Sequence, residues 1–121
     1  MIQRLKEAPS SIAAFRASGE VTKDDFDKVV IPVVNDVVEK TGELNYLMVI
    51  DTPLKNFTAG AWWKDALMGL KKITKWRRAA IITDSDGVKK FTDLFSIVVP
   101  GEFKGFKPDQ LNEAINWVAS A

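Results

Sequence analysis

"LNYLMVID", residues 44–51, is the run on which the fold turns. A strand with one wet face alternates apolar and polar residues. This one is apolar almost throughout, the pattern of a central strand covered on both faces. Such a strand needs neighbours on each side and helices above and below it.

Working outward, the flanking residues supply them. Upstream, Thr22 offers a helix N-cap, and Asp24, Asp25 and Asp27 crowd the first turn, where the helix dipole favours acids. Phe26, Val29, Val30, Val33, Val34, Val37 and Val38 then form one apolar helical face, and Gly42 stops the helix. Pro32 falls inside this pattern, where it forfeits a backbone bond and predicts a kink. Valine is a weak helix former, so packing must hold this helix. Before it, "MIQRL" and "SIAAFRASGEV" flank a turn signal at Pro9-Ser10 and read as an antiparallel hairpin.

Downstream, "TPLKNF" leads to a helix over residues 58–75, and "RAAIITD", residues 78–84, reads as a second buried strand. Residues 85–99 carry Val88, Phe91, Leu94, Phe95 and Val98 on one side of a third helix, ended by Pro100-Gly101. "EFKGF", residues 102–106, alternates as a short strand near an edge. Pro108 opens the last helix at its first position, with Leu111, Ala114, Ile115 and Val118 facing inward. The order is β-β-α-β-α-β-α-β-α. The expected fold is a single α/β domain over residues 1–121: a mixed, mostly parallel five-stranded sheet flanked by four helices.

Composition removes many chemistries. The 121 residues include no cysteine and no histidine, so thiolate nucleophiles, zinc–thiolate clusters and Ser–His or Cys–His pairs are absent. No Walker loop or Gly-x-Gly-x-x-Gly string is present, and no metal or other cofactor is expected. The net charge of +1 gives no global attraction to nucleic acid. "MIQRLKEAPS" lacks the apolar core of a signal peptide, and no run approaches membrane-spanning length. A cytoplasmic protein is expected. Asp51, Asp84 and Asp86 at strand ends are the carboxylates that could serve catalysis, but Asp also caps helices and makes turns there, so no catalytic residue is assigned.

The helix over 58–75 sorts cleanly when each residue is turned by about 100°. Trp62, Trp63, Ala66, Leu67 and Leu70 share one apolar arc, while Lys64, Met68, Lys71 and Lys75 line the opposite side, with Lys72 beside them. Between positions 64 and 78 there are six basic residues and one acid, so this stretch is +5 and the remainder −4. A basic amphipathic helix suits anionic headgroups, and tryptophan suits a boundary between apolar and wet. Nucleic-acid binding is not expected, because the rings turn away from the cations and offer bases nothing to stack on. Thr58 and Ser85 stand where helices begin after strands. Each reads as an N-cap, and Thr58 also as a phosphorylation switch.

The layout and several strings resemble the SpoIIAA-like proteins, small bacterial members of the wider STAS/CRAL-TRIO-like group. The resemblance rests on the strand ending in Asp51, the Trp63-Lys64-Asp65 string, "RRAAIITD", and "FKGFKPDQLNEAINWV". It implies a mixed sheet wrapped by helices. It also implies one of two functions. CRAL-TRIO domains hold lipophilic molecules, whereas sporulation-type STAS domains are anti-anti-sigma factors with a phosphorylatable serine, usually beside an Asp, where the second helix begins. Here that region reads "KNFTAGAW": Thr58 is the nearest hydroxyl and the Asp-Ser pair is missing. The leading expectation is a non-enzymatic domain that binds a hydrophobic or lipid-like ligand, or a peripheral membrane surface. Trp62, Trp63, Ala66, Leu67 and Leu70 would line the ligand, and Lys64, Met68, Lys71, Lys72 and Lys75 would face headgroups. The alternative is an anti-anti-sigma-type protein-interaction module.

Overall fold

A computed structural model of the chain describes residues 1–53, 75–84 and 101–120. Five strands form one sheet in the order β1-β2-β3-β4-β5: β1 Ile2–Arg4, β2 Ala13–Ser18, β3 Leu44–Asp51, β4 Trp76–Ile82 and β5 Glu102–Phe106. β1 runs antiparallel to β2, and the β2–β3, β3–β4 and β4–β5 pairs are parallel. The run at 44–51 is therefore the middle strand. Its two faces alternate as the pleat demands. Tyr46, Met48 and Ile50 enter one core cluster, and Leu47 and Val49 enter the other.

Helices seal both clusters. On the Tyr46 face lies a composite helix: α1 Lys23–Asp25, a π-helical segment Phe26–Val30, and α2 Ile31–Thr41. Phe26, Val30, Val34 and Val37 are its fully buried residues. On the Leu47 face lies α3 Leu111–Ala119, which buries Ala114 and Val118. Of the four helices expected, those over 58–75 and 85–99 fall outside the described residues.

Register explains how such a core closes. Across the sheet Ala13, Tyr46 and Ala79 lie side by side, as do Ala14, Leu47 and Ala80. In both rows the central strand carries the large side chain and its neighbours carry alanine. Large side chains thus rise between helices without colliding with their flanks, which close packing requires. Leu47, fully buried, contributes about 1.5–3 kcal/mol.

Local chemistry sets the helix ends. Thr22 Oγ1 accepts from the Asp25 N–H at 3.2 Å, and Asp25 Oδ2 accepts from the Thr22 N–H at 3.0 Å. Partial burial works against the Asp25 charge, but the hydrogen bonds from Thr22 and the Met1 ammonium outweigh it and hold the carboxyl below its usual value. Gly42 closes α2 in the left-handed region at φ 79°, its N–H reaching Val38 O at 2.8 Å. Gly101 (φ 110°) precedes β5. A β-carbon there would stand 3.0 Å from Arg77 O, so only glycine lets the chain pass this close to β4.

Pro32 is accommodated by a change of helix type. The Ile31 N–H reaches back to Phe26 O, a five-residue step. This widened turn places Pro32 in the first turn of α2, where its missing N–H leaves no gap in the ladder. Other boundaries also differ from expectation, among them both ends of β4, expected at 78–84 and found at Trp76–Ile82. β4 begins at Trp76, two residues earlier, because Leu44 and Trp76 pair across a register shift at Leu44/Asn45. The last helix opens as a 3₁₀ turn, Pro108–Gln110, before α3 proper.

Tyr46 is 1% exposed, with ring centroids 5.6 Å from both Phe15 and Trp76. Burial pushes its phenol above the ordinary value. No described residue hydrogen-bonds its hydroxyl, and an unpaired buried polar group costs about 1–3 kcal/mol. Tyr46→Phe keeps the ring and removes the hydroxyl, so it should leave stability unchanged or raise it by about 1 kcal/mol. Urea unfolding checks this, and a clear loss of stability would show that the hydroxyl has a partner.

Candidate functional site

In open α/β sheets, ligands gather at the carboxyl ends of the parallel strands. Here β2 ends at Ser18, β3 at Asp51 and β4 at Ile82. Thr52 Oγ1 donates to Gly19 O at 2.8 Å and ties the first two ends together. The Thr83 N–H donates to Phe106 O at 3.1 Å, carrying the β4–β5 ladder one step further.

A cleft of about 110 Å³ opens at this end of the sheet. Val49, Ile82 and Leu111 give it apolar walls, Pro108 closes one side, and Arg16 and Asp51 form a charged rim. Arg16 lies opposite Val49 in register, on the face that β2 shares with α3. An Arg16 guanidinium nitrogen stands 3.6 Å from Asp51 Oδ2. Their side chains are 40% and 67% exposed, so solvent screens the pair to about 0–1 kcal/mol. Either member can exchange its partner for an incoming group at little cost. The start of α3 is delivered by the 3₁₀ turn, where Gln110 Oε1 accepts from the Lys107 N–H at 2.9 Å.

The arrangement is suited to recognition. Small-molecule pockets measure about 300–1,000 Å³, so a cleft of about 110 Å³ has room for little more than one side chain. Its rim offers one cation and one anion to orient the backbone that carries it. Among the described residues no group of three or more His, Cys, Asp or Glu could hold a metal ion. No described helix is long and apolar enough to cross a membrane.

Of the residues singled out in the sequence, Thr58, Trp62, Trp63, Lys64, Ala66, Leu67, Met68, Leu70, Lys71 and Lys72 lie outside the described residues, as do Ser85 and Asp86. Lys75 is described and exposed. It was expected at the end of a helix. Instead its carbonyl accepts from the Leu44 N–H at 2.6 Å, so the residue leads directly into β4. Asp51 sits on the cleft rim, and Asp84 is exposed just beyond β4. Arg16 was not anticipated as a site residue. The signal was a single charge in the otherwise small and apolar "AAFRAS".

The basic end of the 64–78 stretch belongs to the scaffold. Trp76 is buried against Tyr46. Arg77 donates to Asn45 Oδ1 at 2.9 Å and to Val118 O at 2.8 Å, and pairs with Glu43 at 3.6 Å. Arg78 donates to Trp117 O at 2.6 Å, pairs with Glu102 at 3.3 Å, and lies 5.1 Å from the centroid of the Trp117 ring. Both arginines also reach Ser120. Two guanidinium groups thus satisfy the carbonyls at the C-terminus of α3, where cations are favoured.

The SpoIIAA-like family model matches residues 12–119. No curated protein and no solved structure matches the chain.

Arg78→Ala should cost about 1.5–3 kcal/mol, the worth of hydrogen bonds to a charged group. Arg78→Lys should recover only part of it, because an ammonium lacks the planar fork. Urea unfolding gives the magnitude. Faster amide exchange in residues 115–119 locates the loss, and unchanged exchange there would contradict the assignment.

Proposed function

The chain belongs to the SpoIIAA-like family, and from that premise we propose a small non-enzymatic regulatory module that captures a partner protein at the C-terminal ends of β2, β3 and β4. The observation that carries this reading is the cleft: side-chain-sized, apolar within and rimmed by the weakly held Arg16–Asp51 pair. A protruding apolar side chain of a partner would fill it, while Arg16 and Asp51 exchange their mutual contact for contacts with the partner. Thr58 follows β3 in the sequence and is the proposed regulatory hydroxyl. A phosphate there would add up to two negative charges seven residues after Asp51 in the sequence. The module would work in the cytoplasm.

A second reading is favoured by the segregation of Trp62 and Trp63 from Lys64 and Lys71 on a helical wheel. Here the apolar arc with Ala66, Leu67 and Leu70 would cover a hydrophobic or lipid-like molecule in the CRAL-TRIO manner. Alternatively, the lysine side would rest on an anionic membrane surface.

A photo-crosslinking residue placed at Asp51 should yield one discrete protein adduct in cells. Leu111→Arg, which fills the cleft, should abolish it, and the same probe at exposed Glu39 should not form it. Equal adducts from both positions would overturn the reading. Anionic phospholipid vesicles separate the alternative. A blue shift of tryptophan emission that Lys71→Glu weakens would favour the lipid surface, and unmoved emission would set it aside.

A further inference from the structure

The strand-end cleft has a floor, a roof and a charged mouth. Register sets Arg16, Val49 and Ile82 side by side on β2, β3 and β4. Asp51 follows Val49 by two residues and so shares its face of the sheet, one step nearer the strand end. Above them α3 is sealed at Ala114 and Val118, while Leu111 in its first turn is half-buried. The step between leaves about 110 Å³, room for one aliphatic side chain and too little for an indole. At the mouth stand one cation and one anion, the Arg16 guanidinium and the Asp51 carboxylate, 3.6 Å apart. Among the described residues each forms an ion pair with the other alone.

We propose that the cleft binds a free aliphatic α-amino acid of leucine size, and that its binding displaces the partner protein, a regulation that rests on the partner reading of the same cleft. An α-amino acid carries one carboxylate and one ammonium on the carbon that bears its side chain. With that side chain in the apolar notch, the carboxylate takes the Arg16 guanidinium and the ammonium takes Asp51. Two ion pairs then replace one, and the charges alternate in sign around the mouth, none beside its like. A residue inside a polypeptide has neither charge, and a residue at a chain end has only one. Solvent screens both pairs at this exposed rim, which places the dissociation constant in the millimolar range. Occupancy therefore follows the concentration of the amino acid, as a sensor requires.

The probe is L-leucine, titrated into the ¹⁵N-labelled full chain. The amides of Val49, Asp51, Ile82 and Leu111 should shift, while that of Lys40 on α2, across the sheet, stays still. 4-Methylpentanoate, which lacks the ammonium, and L-leucinamide, which lacks the carboxylate, should each bind about fivefold more weakly. The variants should mirror them. Arg16→Gln should weaken leucine and 4-methylpentanoate but not leucinamide. Asp51→Asn should weaken leucine and leucinamide but not 4-methylpentanoate, a crossed pattern that a damaged fold does not produce. A photo-crosslinker at exposed Lys107, beside the cleft, leaves both charges in place, and millimolar leucine should lower its partner adduct severalfold. Cleft amides unmoved at tens of millimolar leucine, or equal binding by either analogue, would overturn the amino-acid site and leave the partner adduct standing. An adduct that persists while leucine occupies the cleft would overturn the displacement. Leucine shifts with no adduct from any probe position would instead remove the partner reading and the displacement with it, and keep the amino-acid site.

Discussion

The whole architecture depends on covering both faces of β3. Its large side chains rise alternately toward α2 and α3, and at Tyr46 and Leu47 the strands on either side give way with alanine at the same level. This constraint dictates helices on both sides of the sheet. At those two levels it also favours small residues in β2 and β4, where larger ones would compete for the same space. The polar residues of β3 stand outside the constraint. Asn45 receives Arg77, and Asp51 emerges at the strand end. What is not needed to fill the core is thereby free for recognition.

Charge in this protein divides by context, not by sequence neighbourhood. The lysines and arginines at 64–78 look like one basic band. Yet Arg77 and Arg78 belong to a strand and hold the C-terminal carbonyls of a helix some forty residues later. A guanidinium fork can serve several carbonyls and a carboxylate at once, which suits it to this position. The consequence reaches the strand-end cleft. α3 supplies Leu111 at its start, and the arginine contacts at its far end help to fix where that start lies.

The surface proposed for a partner is the notch at the strand ends, whose charged rim suits one anchoring side chain. It demands no rearrangement of the core, because buried Val49 and Ile82 bound it.

Sequence alone determined what local chemistry controls. The hairpin, the Thr22 cap, the Gly42 stop, the limits of β3 and the edge strand at 102–106 were all legible. Each follows from a periodicity, a capping residue or a glycine within a few positions. Proline at 32 was legible as a disturbance but not as a π turn, since whether a helix kinks or widens is settled by what it packs against. The start of β4 was missed because a register shift beside Leu44 recruits Trp76 and Lys75 into the ladder. Tertiary structure alone decided the roles of Arg16, Arg77 and Arg78. Their partners lie twenty-four or more residues away, and no local pattern encodes a contact that exists only after the sheet has assembled.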